Sequence, residues 1–529
     1  MPVASTPSIA LDGAVGHLVD VQADVSPGQA GLTMVGRCDV SLNQAPHRCQ
    51  MAVHNTDLPW PTSKRVTILL SPSDLPKRGT HFDLAIALAV LKADSQLPDV
   101  EVEGSVFIGE LTLAGGLRSV PGVLPMTLAA ARRGIRRVFV PEPQAHEAAM
   151  VPDIEVLGVR SLSQVLAELT GQEVPEAPPV APMSGSRLLS WRGEERLDEV
   201  DMADVLGMAD GRYAAEVAAA GGHHLLLSGP KGCGKTTLAE RIPSILPDLS
   251  IDESIEVTAL HSLAGALEEG IGLIRRPPFS APHHDASKAS IVGGGSGHVR
   301  PGEVSRAHCG VLLLDEFPLL RTDVIDALRQ PLESGDVTIA RGDDVVTYPA
   351  RGLVVFAANP CPCGDYRADA GGNRCSCRET QRQDYRRRVR GPLTDRIDIT
   401  RHLEPLKPHD ERDRWARPET STAVRDRVAA ARARQEERYA GRSWRLNGQA
   451  PGPALAQEWP LSAEAQSVID DQMYAGRLSR RGATRVHRLA RTVADLRGAE
   501  VPSVSDTTTA LRLRTGEPLL SAALKGEAS

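Results

Sequence analysis

Aromatic side chains are scarce in this chain, since Phe, Trp and Tyr make up 3% of its 529 residues. Binding single-stranded nucleic acid by base stacking requires aromatic platforms, so this composition disfavours such a binder. The formal net charge of −7 gives no global nucleic-acid signature either, because a DNA-coating domain is usually basic. Any DNA contact must therefore be local, and the candidates are the arginines within 386–390 and within 477–491.

Long apolar runs are also absent. The longest, such as 84–91, fall far short of the roughly twenty residues that a membrane-spanning helix needs. The first ten residues lack a charged n-region, and Asp12 interrupts any apolar h-region, so no targeting signal is predicted. Eight cysteines in a chain of this size fit a reducing compartment better than a disulfide scaffold. These absences predict a cytoplasmic protein with no membrane partner.

One segment carries a strong chemical signature. An apolar strand at 225–228 runs into the pattern G-x-x-x-x-G-K-T and then into a helix. Backbone N–H groups of such a loop curl round phosphates, Lys235 reaches the β and γ oxygens, and the Thr236 hydroxyl completes a magnesium shell. The sequence therefore predicts binding of ATP and magnesium. The predicted phosphate-binding loop consists of Gly229, Pro230, Lys231, Gly232, Cys233, Gly234, Lys235, Thr236 and Thr237.

The rest of a nucleotide site follows later in the chain. A short apolar run at 311–314 is typical of a buried parallel strand, and it ends in Asp315 and Glu316. Asp315 is the candidate for holding hydrated magnesium, and Glu316 for orienting or deprotonating the attacking water. A third strand ends at Asn359, which could hold that water, and Arg396 in a polar turn is a candidate finger for a neighbouring subunit's γ-phosphate.

Together these motifs resemble a known family. With the segments 279–284, 300–303, 359–364 and 393–396, they resemble the magnesium-chelatase-like branch of the AAA+ ATPases and, more narrowly, the ComM/YifB family. The resemblance implies that Asn359 is sensor 1 and Arg396 the arginine finger. The later segment 479–491 resembles the helix that carries sensor 2 in this family. We assign sensor 2 to Arg481, with Arg485 as the alternative.

The amino-terminal third carries a second resemblance. The segment 64–84 is similar to the Lon-protease-type domain that precedes the ATPase in these proteins. A Lon-type protease needs a serine shortly after the Pro-Lys-x-Gly turn and a lysine on a later helix. Position 81 is His, and the helix after 115–118 offers no lysine. The domain is predicted to be catalytically silent and to serve assembly or docking, with Thr80 and Ser73 as remaining candidate nucleophiles.

Two groups of residues could bind a further metal ion. Cys361 and Cys363 form one C-x-C pair, Cys375 and Cys377 form another, and four thiolates suffice for a tetrahedral zinc site. The alternative is a surface loop with four reduced thiols. The neighbouring His283 and His284 are a weaker candidate, because adjacent side chains on an extended chain point to opposite sides.

The predicted fold class is α/β, with an α+β Lon-protease-like domain, a central AAA+ parallel sheet with covering helices and a C-terminal helical lid. Two insertions of the ATPase, 287–303 and the predicted hairpin 337–348, resemble elements that face a ring's central pore; alternatively the hairpin packs on a neighbouring subunit. The predicted divisions are a Lon-like domain at 1–171, a Pro/Ala-rich linker at 172–197, an ATPase core at 198–403, a lid with sensor 2 at 404–515 and a flexible tail at 516–529.

The leading functional hypothesis, implied by the resemblance, is a hexameric ATP-driven helicase that promotes branch migration of DNA during recombination or natural transformation. The alternative is an ATPase that remodels a protein partner, as metal-chelatase motor subunits do. A third reading, an ATP-dependent protease, is opposed by the missing Ser-Lys pair.

Overall fold

The computed structural model describes residues 3–97, 100–181, 200–267, 272–295, 299–341, 344–366, 374–389, 393–405 and 419–520. The predicted linker lies mostly outside these ranges, as do residues 406–418 of the predicted lid and 521–529 of the predicted tail. No helix within the described ranges is both long and apolar enough to cross a lipid bilayer.

The N-terminal domain is built round one central helix. Its strands are β1 (Val3–Asp12), β2 (Val15–Ser26), β3 (Gly31–Val35), β4 (Arg65–Ser71), β5 (Ser105–Phe107), β6 (Glu110–Leu111), β7 (Leu117–Arg118), β8 (Arg137–Pro141) and β9 (Glu155–Val159), and its helices are α1 (Val40–Asn43), α2 (Ala45–His54), α3 (Asp83–Ala93), α4 (Val123–Arg132), α5 (Ala145–Ala148) and α6 (Leu162–Thr170). Sheets of order β1-β2-β4-β3 and β5-β8-β9 enclose α3, which is buried on nearly all sides because it is apolar on all sides. The predicted α+β architecture is confirmed.

The central domain has the predicted parallel sheet. Its strands are β10 (Leu225–Ser228), β11 (Phe279–Ser280), β12 (Gly293–Gly294), β13 (Arg300–Pro301), β14 (Val311–Leu314), β15 (Asp336–Arg341), β16 (Asp344–Pro349), β17 (Leu353–Ala358) and β18 (Ile399–His402), and its helices are α7 (Ala209–Gly221), α8 (Lys235–Ile245), α9 (Ile251–Ala264), α10 (Lys288–Ile291), α11 (Glu303–Arg306), α12 (Thr322–Ala327), α13 (Arg329–Ser334) and α14 (Glu379–Val389). The main sheet has the order β11-β14-β17-β10-β18, and every pairing in it is parallel.

Both faces of this sheet are covered, which explains why its strands are apolar throughout. Leu225 and Leu227 pack into one buried cluster, whereas Leu226 between them packs into another on the opposite face. The carboxyl ends of β10, β14 and β17 therefore meet at one edge of the sheet.

The lid is helical, as predicted. It comprises α15 (Ser421–Arg438), α16 (Gly452–Glu458), α17 (Ala463–Tyr474), α18 (Arg480–Arg497) and α19 (Val504–Thr515). On α15 the helically spaced Val424, Val428 and Ala431 are buried. The predicted tail needs a correction at its start, because Leu519 is buried in the core and its N–H donates to Asp210 at 2.9 Å.

A buried carboxylate joins the lid to the sheet. Asp398, directly before β18, accepts a hydrogen bond from the His224 backbone N–H at 3.1 Å and pairs with Arg485 of α18. Burial alone would raise the pKa of Asp398, but the adjacent His223 ring and the charge of Arg485 outweigh it and hold that pKa far below its usual range. Burial also lowers the pKa of His224 to about 4, which keeps this ring neutral, and its Nδ1 accepts from the Val354 N–H at 3.2 Å.

The N-terminal domain packs on helix α9 of the central domain of its own chain. Leu124 of α4 and Val151 pack against Ala259 of α9. Beside them the Ser262 hydroxyl of α9 donates to Glu147 Oε1 at 2.5 Å, and burial raises the pKa of this glutamate. The two domains thus contact each other directly through α4 and α9.

The predicted hairpin is confirmed, with β15 and β16 paired antiparallel. Its turn, 342–343, lies outside the described residues. Strand β16 of the hairpin packs against other parts of the same protomer. Its Val346 and Tyr348 contact Leu260 of α9. A Cβ at Gly13 in the β1–β2 turn would come within 2.8 Å of the Thr347 carbonyl oxygen. At its base, therefore, the hairpin contacts elements of its own protomer.

Candidate functional site

The phosphate-binding loop leaves the carboxyl end of β10 and enters α8 at Lys235. Gly232 and Gly234 have left-handed backbone angles, with φ of 75° and 84°. Gly229 is required for another reason, because a Cβ there would approach the Leu403 carbonyl oxygen to 2.3 Å. The glycine spacing thus forms a tight loop whose open side faces the end of the sheet.

Lys235 is buried beneath this loop. Its Nζ donates to the carbonyl oxygens of Gly229 at 2.7 Å and Pro230 at 2.9 Å, and to Asn359 Oδ1 at 3.0 Å. The lysine predicted for phosphate binding and the predicted sensor 1, 124 positions apart in sequence, are therefore in direct contact.

The two acidic residues take separate positions at the end of β14. The Thr236 hydroxyl donates to Asp315 Oδ2 at 3.0 Å, and Asn359 Nδ2 donates to Glu316 Oε1 at 3.0 Å. Glu316 has a left-handed backbone with φ of 47°, which is rare for a residue with a side chain, and its N–H donates to Asp315 Oδ1 at 2.8 Å. Such strain is typical of a position whose side-chain direction matters.

One neighbour of this group was missed by sequence reasoning. His284 Nδ1 lies 3.9 Å from Glu316 Oε2, on the carboxylate oxygen that Asn359 does not bind. The expectation that His283 and His284 point to opposite sides is wrong: the chain turns here, with Ala286 N–H donating to the His283 carbonyl, and the two rings lie 4.1 Å apart. With Asp285 their ligand atoms fall within 4.8 Å of one another, largely exposed to solvent.

The three predicted arginines have different surroundings. Arg396 forms an ion pair with Glu333 of α13 at 2.8 Å. Arg485 is committed to Asp398, whereas Arg481, one turn earlier on α18, is exposed. Of the two sensor 2 candidates, Arg481 is the one whose side chain remains accessible.

The arginines proposed for DNA contact likewise include both side chains bonded within the protein and exposed side chains. Arg488 donates to the Ala450 carbonyl at 2.8 Å, and the buried Arg491 donates to the Glu500 carbonyl at 2.8 Å, so both hold the lid together. On α14 Arg386 and Arg387 are exposed, and Arg390 lies outside the described residues.

The four cysteines of the predicted zinc site come together. The Sγ atoms of Cys361, Cys363, Cys375 and Cys377 all lie within 4.8 Å of one another, and all four cysteines are free thiols. Cys361 and Cys363 follow Asn359 closely in sequence, so the cluster lies beside the predicted nucleotide site.

The amino-terminal domain brings no Ser-Lys pair together at the predicted turn. His81 is buried, and its Nε2 lies 2.8 Å from the Ile9 carbonyl oxygen. The Thr80 hydroxyl donates to Glu110 Oε2 at 2.5 Å, and Ser73 is exposed. A hydroxyl bound to a carboxylate has no lysine to activate it here, and catalytic silence remains our prediction.

Comparison with known proteins gives a consistent picture. Three family models match along the chain: subunit ChlI of Mg-chelatase at residues 21–144, magnesium chelatase subunit ChlI at 201–411 and the ChlI C-terminal region at 418–514. An uncharacterized protein of Mycobacterium tuberculosis is 42% identical over 96% of this chain and 97% of its own length.

Two further relatives carry names. The uncharacterized protein YifB of Escherichia coli is 38% identical over 91% of each chain. The competence protein ComM of Haemophilus influenzae is 36% identical over 94% of this chain and 95% of its own length. At this identity and coverage, and with the parallel sheet and loop geometry described above, the chain belongs to the ComM/YifB family of magnesium-chelatase-like AAA+ ATPases.

Proposed function

We propose that this chain is the subunit of a homo-hexameric ATP-driven motor that acts on branched DNA and promotes its branch migration. The observation that carries the proposal is the contact of Lys235 with Asn359, and of Asn359 with Glu316, at the carboxyl edge of one parallel sheet. In this arrangement a lysine suited to bind phosphate, a sensing amide and a general base meet within hydrogen-bond reach.

Each residue has a distinct task in hydrolysis. Lys235 exchanges its carbonyl and amide partners for the β and γ oxygens of ATP. Asn359, released from Lys235, holds the attacking water, while Glu316 orients it and accepts its proton. Because Glu316 is already bound by the Asn359 amide, binding of the γ-phosphate by Lys235 and positioning of the base are linked through one side chain.

Magnesium fits the same edge. The Thr236 hydroxyl and the Asp315 carboxylate, 3.0 Å apart, offer the oxygen ligands that this ion prefers, and both would hold it. Bound there, the ion neutralises charge on the β and γ phosphates. A Zn²⁺ ion at the four cysteines would be structural.

In an oligomer, arginines would supply the remaining positive charges at the nucleotide. Arg396 acts on the γ-phosphate of a neighbouring protomer after exchanging Glu333 for it. Arg481 contacts a bound nucleotide from the lid, either that of its own protomer or that of the neighbour. The DNA substrate is supported by the similarity to a protein named for competence and by Lys288, which is exposed on the first insertion. The second candidate function, remodelling of a protein partner, is favoured by the chelatase-subunit family models and by the net negative charge.

Two substitutions separate nucleotide binding from hydrolysis. Lys235→Ala should abolish measurable ATP binding, because it removes the positive charge that would bind the phosphates. Glu316→Gln should retain binding but lower the ATPase rate by about 100-fold or more, since a general base contributes at least that much. Binding is measured with a fluorescent ATP analogue and turnover by phosphate release. Asp323→Asn, a matched change at an exposed carboxylate on α12, should leave both unchanged; wild-type turnover in Glu316→Gln would remove that residue from catalysis.

Mixing two inactive variants tests the finger. Arg396→Ala protomers retain the loop and Lys235→Ala protomers retain the finger, so random mixing in equal amounts should restore competent interfaces at about a quarter of positions if Arg396 acts across subunits. Activity is measured over a range of ratios, with mixed rings verified by differently tagged protomers. Mixed rings that stay inactive at every ratio would rule out a finger acting in trans.

Substitution of the two lid arginines should affect different properties, stability for Arg485 and ATPase rate for Arg481. Arg485→Ala removes the guanidinium that pairs with the buried Asp398 and leaves this carboxylate with its contacts to His223 and His224, so we expect the free energy of unfolding to fall by about 3 kcal/mol or more. Arg481→Ala should change it by less than about 0.5 kcal/mol, as is usual for an exposed side chain, while lowering the ATPase rate. Urea denaturation and phosphate release measure the two effects. An Arg481→Ala variant with wild-type turnover would exclude this residue as sensor 2.

The DNA substrate is tested by gel mobility with the ATP-site variant Glu316→Gln and a non-hydrolysable ATP analogue. We expect four-way or forked DNA to shift at a concentration at least about tenfold lower than linear duplex of the same length, and Lys288→Ala to weaken the shift by losing a phosphate contact. Lys64→Ala is the matched control, because Lys64 is paired with Asp94 on the N-terminal domain. Equal affinity for branched and linear DNA, or no shift, would favour the protein-remodelling alternative.

A further inference from the structure

The four-cysteine cluster has the dimensions of a single-ion site. The Cys361 and Cys363 Sγ atoms are 3.3 Å apart, Cys361 and Cys375 are 3.6 Å apart, and Cys363 and Cys375 are 3.5 Å apart. A zinc ion bound by four thiolates at about 2.3 Å separates neighbouring sulfurs by about 3.8 Å. A disulfide would need about 2.05 Å. The spacing is therefore close to that of a tetrahedral thiolate cage.

The choice of ion follows from the ligands. Four thiolates select soft or borderline metals, and tetrahedral S₄ geometry is typical of Zn²⁺ or a single iron. An iron–sulfur cluster distributes its four thiolates over two or four irons and so holds some of them farther apart than these four Sγ atoms, which all lie within 4.8 Å of one another. A mononuclear zinc site fits best.

One side of this cluster touches the phosphate-binding loop. Gly364 follows Cys363, has φ of 82°, and its carbonyl oxygen accepts from the Lys231 backbone N–H at 3.4 Å. A Cβ at position 364 would come within 2.5 Å of the Lys231 side chain, so the stem of that lysine lies directly on the glycine. The turn that carries two of the cysteines is thus in van der Waals contact with the loop predicted to bind ATP.

The other side is connected to the catalytic strand ends through α14. This helix begins two residues after Cys377, and its buried Tyr385 accepts a hydrogen bond from the Asn359 backbone N–H at 3.3 Å. Further along, Arg388 donates to the Pro318 carbonyl, two residues beyond Glu316, at 3.1 Å. The guanidinium of Arg382 stacks on Tyr366, 4.7 Å from the ring centre, which ties α14 back to the first cysteine turn.

We infer that these four cysteines bind one Zn²⁺ ion, and that the loaded site is a clamp that fixes the phosphate-binding loop against sensor 1 and thereby sets nucleotide affinity. The clamp positions the phosphate-binding loop, because its four ligands join the turn under Lys231 to the start of α14. Apart from the ion, the described residues join these two segments through side-chain contacts such as the stacking of Arg382 on Tyr366. This inference rests on the proposed nucleotide site and extends it to a metal-dependent control.

The metal itself is measured on the full chain purified without chelators. We expect one zinc per chain by elemental analysis, and expect Co²⁺ substitution to give the intense visible absorption of a tetrahedral tetrathiolate complex. Cys375→Ser should lose the ion, whereas Cys38→Ser, a partly buried cysteine of the N-terminal domain, should keep it. Absence of stoichiometric metal, or iron in its place, would overturn the zinc assignment.

The clamp is tested by nucleotide affinity. Removing zinc with a chelator should raise the Kd for a fluorescent ATP analogue about tenfold, and restoring zinc should reverse this; circular dichroism checks that the protein stays folded. Gly364→Ala should weaken binding with zinc still stoichiometric, because the added methyl displaces Lys231. This variant keeps the inference falsifiable if Cys375→Ser does not fold.

The outcomes separate the clamp from the function it serves. Equal affinity with and without zinc, together with wild-type affinity in Gly364→Ala, would overturn the clamp while leaving the ATPase proposal intact. A zinc-loaded wild-type chain that binds no ATP analogue would instead overturn the proposed nucleotide site, and the clamp with it.

Discussion

The buried carboxylate of Asp398 constrains the rest of the structure. A charge with 3% of its side chain exposed must be compensated, and here His223 and His224, directly before β10, and Arg485 of the lid helix α18 all contribute. Because Arg485 compensates this charge, it has no freedom to follow a nucleotide. Arg485 thus helps to hold the lid over the sheet, whereas Arg481 on the same helix is exposed.

The sequence predicted best what depends on local chemistry. The glycine spacing before Lys235 and the apolar run before Asp315 each need a particular backbone, and the structure has both backbones where expected. The edge at which Asn359 joins them could also be predicted, because parallel strands place their carboxyl ends together. The left-handed backbone of Glu316 could not, because glutamate carries no preference for positive φ. The approach of His284 could not either, since it depends on a turn beyond a two-residue strand that leaves almost no pattern.

Runs of charged residues predicted the surroundings of their side chains least well. Arg481, Arg485, Arg488 and Arg491 look alike in sequence, yet one is exposed, one is buried against a carboxylate and two bind backbone carbonyls of the lid. The difference comes from the helix period and from which turn faces the sheet, and an arginine's long stem suits both roles. The tail was mispredicted for a similar reason, since burial of Leu519 depends on a tertiary groove that no local pattern announces.

The docking of the N-terminal domain on α9 and β16 has a consequence for how the chain can vary. Its apolar contacts, the bond from Ser262 to Glu147 and the close approach at Gly13 all lie on the two domains themselves. Any side chain at position 13 would push β16 away from the β1–β2 turn, and a charge placed in the apolar contact would be buried without a partner. Relatives should therefore keep a glycine at position 13 and apolar residues on both faces of the contact.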